Sequence, residues 1–95
     1  MVVPMKDHNL RKIVGKNIKY YRFLNGYTQE RLAEKCNLSP RYISDIENFN
    51  GNISLDTIED IARIFLIQPY QLLRDTKSKH KVLPKRVNME GSKAK

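Results

Sequence analysis

The residues able to do chemistry here are few, and they favour recognition over bond-making. The two histidines, His8 and His80, lie near opposite ends of the chain. Neither stands at metal-ligand spacing from a cysteine or carboxylate. The single cysteine, Cys36, has no base near it in sequence and takes an inward helical position, so it reads as a small core residue rather than a nucleophile or half of a disulfide. No glycine-rich phosphate loop and no paired carboxylates occur, so no metal or cofactor is expected and catalysis is not the expected activity. What stands out is a run of donors and acceptors, Arg41-Tyr42-Ile43-Ser44-Asp45, directly after Ser39-Pro40. Arg41 is a forked donor, Tyr42 and Ser44 carry hydroxyls, and Asp45 only accepts. Arg41 and Asp45 stand four residues apart, so an ion pair between them is the competing use of both.

A helix has to hold that run. Ser39 is an N-cap residue and Pro40 suits the first helical position, where its missing N–H costs nothing. Ile43 and Ile46 fall on one face, leaving Pro40, Arg41, Tyr42, Ser44 and Asp45 outward. A second short helix precedes it. Thr28 caps it, it runs from Gln29 to Cys36, and Leu32, Ala33 and Cys36 share its apolar side. Asn37 suits the left-handed position between the two. Helices this short and this closely joined must cross steeply, and the small Ala33 permits close approach beside Leu38.

This pattern resembles the helix-turn-helix of the Cro/C1 repressor family, also called the XRE family. Thr28-Gln29-Glu30 matches the family's opening, and Ala33 its small-residue site. Asn37 replaces the usual turn glycine, Leu38 takes the following apolar site, and Ile43 and Ile46 match the two buried sites of the recognition helix. Arg22 and Glu47 match a structural ion pair that links the first helix to the end of the third. The resemblance spans residues 10 to 74. It implies an all-α fold, a five-helix bundle of the lambda-repressor-like DNA-binding type with a basic C-terminal tail. It also implies major-groove reading by Pro40, Arg41, Tyr42, Ser44 and Asp45. Arg41 would take guanine O6 and N7, Asp45 the N4 donor of cytosine, and Pro40 and the Tyr42 ring a thymine methyl. Gln29, at a helix N-terminus, would bond a backbone phosphate. Asn50, Asn52 and Ser54 would line a second phosphate clamp. That loop, ENFNGNIS, lacks the lysine or arginine common in relatives, so Lys16, Lys19 or the tail would have to compensate.

The remaining elements follow from periodicity. Leu10, Ile13, Val14, Ile18, Tyr21 and Leu24 form an apolar stripe over a first helix from about Leu10 to Asn25, capped by Asn9 or Asp7 and ended by Gly26. Gly15 weakens it slightly. The segment Asn48 to Asn52 is turn chemistry, in which Gly51 and the asparagines suit positive φ. Ser54 caps a fourth helix, Leu55 to Phe65, whose buried stripe is Leu55, Ile58, Ile61, Ala62 and Phe65. Gln68-Pro69 opens a short fifth helix to about Arg74. Its Tyr70, Leu72 and Leu73 are the dimerisation candidates, together with Tyr20, Phe23 or Val82-Leu83.

The chain has 95 residues, and its 18 Lys+Arg against 10 Asp+Glu give a net charge of +8. Residues 10–75 hold ten basic and eight acidic residues, whereas residues 76–95 hold seven basic and one acidic. The expected organisation is a lead-in over residues 1–9, one helical domain over 10–75, and a basic, disordered tail over 76–95. A polyanion is the natural partner for such a chain. No apolar run approaches membrane-spanning length and no secretory signal is legible, so a cytoplasmic protein is expected. Two functions from different classes fit. The first is a sequence-specific DNA-binding regulator, acting as a repressor or autoregulator, which binds an inverted repeat of double-stranded DNA as a homodimer. The second is a protein-interaction module, an antitoxin or adaptor, with non-specific nucleic-acid binding by its tail.

Overall fold

The computed structural model describes residues 9–75. The tail, the first eight residues, both histidines and Val82-Leu83 lie outside the described residues. Four α-helices follow in order: α1 Leu10–Leu24, α2 Gln29–Cys36, α3 Pro40–Glu47 and α4 Leu55–Phe65. A 3-10 turn, Pro69–Leu72, closes the described chain, and no strand occurs among the described residues. None of these helices is long and apolar enough to cross a membrane.

Each helix starts on a side-chain cap. Asn9 Oδ1 accepts the Lys12 N–H at 3.2 Å, Thr28 Oγ1 that of Arg31 at 3.0 Å, Ser39 Oγ that of Tyr42 at 3.1 Å, and Ser54 Oγ that of Thr57 at 3.0 Å. Such caps satisfy first-turn donors that have no partner inside the helix. Three helices end in the left-handed region, at Gly26 (φ 70°), Asn37 (φ 59°) and Leu66 (φ 61°). Asn37 therefore does the work of a turn glycine, and the Leu38 N–H closes the turn on the Ala33 carbonyl at 2.8 Å.

One core joins all the elements: Val14 and Ile18 of α1, Leu32 and Ala33 of α2, Ile43 and Ile46 of α3, Ile58, Ile61, Ala62 and Phe65 of α4, and Leu72. Tyr21 and Tyr27 set their rings 5.9 and 6.5 Å from that of Phe65. Cys36 packs against this core, and burial, with a smaller contribution from Asp60, pushes its thiol pKa up to about 11. The apolar stripes outrun the core at helix ends. Leu10, Leu24 and Leu55 are on stripe positions but stand 53, 50 and 76% exposed, because each is the first or last residue of its helix, beyond its neighbours' reach.

Three features depart from the sequence expectations. The fifth helix is a single 3-10 turn rather than an α-helix to Arg74. The buried Asn17 amide donates to the Leu72 and Arg74 carbonyls at 2.9 Å each, binding the chain to α1 where a helix would have continued. In the turn after α3, Phe49 takes positive φ (68°), not Gly51 or an asparagine. Gly15 does more than weaken α1: a Cβ there would come within 2.9 Å of the Phe49 ring and closer still to the Ile46 carbonyl oxygen. The Phe49 ring thus lies over a gap that only glycine leaves open.

Candidate nucleic-acid interface

The position of α3 is set at both ends. Its apolar side, Ile43 and Ile46, is buried to 0 and 2% exposure. At its C-terminal end the Glu47 carboxylate receives Arg22 Nε at 2.7 Å and Nη2 at 2.9 Å, a two-pronged ion pair between buried side chains. Arg22 also donates to the Tyr27 carbonyl at 2.9 Å, and Gln29 Nε2 donates to Glu47 at 3.0 Å. One cluster therefore ties α1, the turn before α2, the first residue of α2 and the end of α3. A carboxylate removed from water needs such donors to offset its desolvation.

The opposite side of α3 carries the donors and acceptors. Pro40 and Arg41 are exposed, and Tyr42, Ser44 and Asp45 are half-buried. Arg41 Nε lies 3.5 Å from Asp45 Oδ1, with the arginine side chain 84% exposed, so the intrahelical pair is present in a form that solvent and any ligand can reach. The Tyr42 hydroxyl donates to the Asn52 carbonyl at 2.8 Å. Asn48 Nδ2 donates to Ser44 Oγ at 3.4 Å.

The residues expected on phosphates divide into three groups. Asn50 and Asn52 are exposed in the loop between α3 and α4, and Lys16 and Lys19 are exposed on α1. Gln29 stands at the first position of α2 but is half-buried, with its amide N–H engaged by Glu47. The second N–H of its amide and the free N–H groups at the start of α2 are what this corner can offer a phosphate. The Ser54 hydroxyl donates to Thr57 Oγ1 at 2.9 Å and accepts the Thr57 N–H, which makes it a helix cap first.

Of the dimerisation candidates, Tyr70 is 59% exposed and Leu73 half-buried. Leu72 is a correction: at 0% exposure its side chain belongs to the core, because the 3-10 turn points it beneath α1 and α4. Leu66, which was not singled out from sequence, is 89% exposed next to this segment.

Two residues, one exposed and one buried, escaped the sequence reading. Arg11 donates to Asn52 Oδ1 across the chain, and Asn17 fixes the terminal turn. Arg11 and Gly15 are four residues apart, the spacing that stacks side chains on one helix face. That spacing could have placed Arg11 beside the α3 crossing had the role of Gly15 been legible.

Comparison with known proteins points the same way. A helix-turn-helix family model matches residues 18–72. The control protein C.BamHI of Bacillus amyloliquefaciens is 40% identical over 67 residues, covering 70% of this chain and 83% of that protein. The structure of a hypothetical transcription factor, NHTF, from Neisseria superposes with a TM-score of 0.71 at 32% identity, over 85% of this chain and 91% of that one. The structure of SinR, a master regulator for biofilm formation, in complex with DNA gives a TM-score of 0.60 at 34% identity, over 64% of this chain and 98% of the SinR chain.

Proposed function

This chain belongs to the Cro/C1-type helix-turn-helix family, and from that premise we propose that it is a transcriptional regulator that reads operator DNA with α3. The observation that carries the reading is the two-sided build of α3. Its inner face is locked by Ile43, Ile46 and Glu47, while Arg41 stands clear of the molecule. A rigid helix with an exposed N-terminal half is what a major groove admits.

The roles follow from donor and acceptor chemistry. Arg41 reads guanine through O6 and N7, leaving Asp45 free to accept from cytosine N4. Tyr42 is anchored to Asn52 by its hydroxyl proton, so it offers ring carbon and an acceptor oxygen. Pro40 supplies apolar contact, and Ser44 a hydroxyl. Gln29 and the first turn of α2 hold one phosphate, while Asn50 and Asn52 hold another, fixing register without reading sequence. A single module of this size makes too few contacts for high specificity, so the protein works as a homodimer on an inverted repeat. Repression follows from occupying a promoter.

Selection of binding sites from random duplex DNA with purified protein tests this directly. The expected result is a palindromic consensus with half-sites about one helical turn, ~34 Å, apart. Enrichment of no sequence by a folded sample would defeat the reading and favour a protein-interaction module instead.

A further inference from the structure

We propose that Arg11, at the start of α1, supplies the positive charge for the phosphate contact of the loop between α3 and α4. This rests on the DNA-binding reading above. The loop itself, residues 48–54, is neutral throughout: Asn48, Phe49, Asn50, Gly51, Asn52, Ile53 and Ser54. Amides can bond a phosphate, but affinity for DNA comes largely from cations that displace its counterions. A neutral loop on the rim of the reading surface therefore lacks half of what a phosphate site needs.

The fold brings the missing half from elsewhere in the chain. Asn52 is held from two directions: its carbonyl accepts the Tyr42 hydroxyl at 2.8 Å, and its side-chain oxygen accepts from the Arg11 guanidinium. One residue thus connects Arg11 to the third residue of α3. One turn further along α1, Gly15 allows the close approach to Ile46 and Phe49 that puts this end of α1 against the loop. Among the described residues, Arg22, Arg31, Arg41 and Arg63 each pair with a carboxylate. Arg11 is instead held by a neutral amide, which aims it without cancelling its charge. A guanidinium has five N–H donors, so one bond to Asn52 leaves it able to grip a phosphate. Arg11 and Asn52 then form one site, in which the amide orients the cation and the cation binds.

The test compares full-length wild type with Arg11→Gln and Arg11→Lys on the duplex obtained by selection, measuring Kd across a salt series. Glutamine keeps a donor for Asn52 but removes the charge, and Arg11 is exposed, so the fold is expected to persist; a thermal melt checks that. Arg11→Gln should weaken binding about three- to tenfold and flatten the slope of log K against log salt by about 0.9, the value for one phosphate, with base preference unchanged. Arg11→Lys should restore the slope. A wild-type slope in Arg11→Gln, or a changed base preference, would overturn the assignment while leaving the DNA-binding reading intact. If the wild-type protein itself shows no preferred site, the reading fails and the inference with it.

Discussion

Arg41 and Glu47 show how two charged residues six positions apart on one short helix serve opposite ends. The Arg41 side chain is 84% exposed and only loosely paired with Asp45 at 3.5 Å. Surface pairs of this kind contribute little to stability, so Arg41 can exchange its partner for a base at low cost. Arg41→Ala should leave the melting temperature nearly unchanged yet relax discrimination at one base position by about 1–3 kcal/mol. Competition binding with single-base operator variants measures this, and an intact preference at every position would remove α3 from the groove. Glu47 is the reverse case, buried and held by Arg22 and Gln29. Glu47→Ala strands the Arg22 guanidinium and should cost about 3–5 kcal/mol in urea unfolding. The double variant Arg22→Met, Glu47→Leu should recover most of that loss, since the pair's net worth is far smaller than the cost of breaking it. If the double variant were as unstable as the single one, orphaned charge would not be the reason.

At the scale of elements, the crossing of α1 over α3 is the decisive contact. Helix propensity alone favours alanine over glycine within a helix by about 1 kcal/mol. At residue 15 the sign should reverse, because the added methyl meets the Ile46 carbonyl oxygen and the Phe49 ring. Gly15→Ala is expected to destabilise by about 1–3 kcal/mol through overpacking. It should also weaken DNA binding, because the shift falls on the end of α3 and on the loop that carries Asn50 and Asn52. Equilibrium unfolding and operator titration on the same sample would show the two losses together. A Gly15→Ala protein more stable than wild type would mean that α1 and α3 can separate freely. The turn after α3 makes a related point. Phe49 accepts positive φ (68°), an uncommon conformation for a bulky residue, in the same turn that places its ring over Gly15.

At the scale of the molecule, the surface around the terminal turn carries the most exposed apolar side chain among the described residues. Leu66 is 89% exposed and adopts φ 61°, and Tyr70 is 59% exposed. A left-handed leucine open to water gains nothing from its side chain in a monomer, and glycine would fit that position better. A second copy of the chain packing on Leu66, Tyr70 and Leu73 would account for both. Leu66→Glu combined with Tyr70→Glu should then give a monomer by sedimentation and sharply reduce affinity for the full inverted repeat. Binding to an isolated half-site should change little. A variant that still sediments as a dimer would move the interface elsewhere.

The sequence by itself determined the local grammar: the Thr28, Ser39 and Ser54 caps, the first cap to within Asn9 or Asp7, the turn at Asn37, the buried Ile43 and Ile46, and the outward run from Pro40 to Asp45. These are set by neighbours a few residues away, so period and cap chemistry suffice to read them. The regulator family was legible for the same reason, since its marks are spacings within one motif. Tertiary structure decided what depends on distant partners. Leu72 went to the core, the last helix shrank to a 3-10 turn held by Asn17, Gly15 became a contact point, and Arg11 came to rest on Asn52. The Asn17, Gly15 and Arg11 contacts join residues some thirty to nearly sixty positions apart, and no local pattern encodes which helices will meet there.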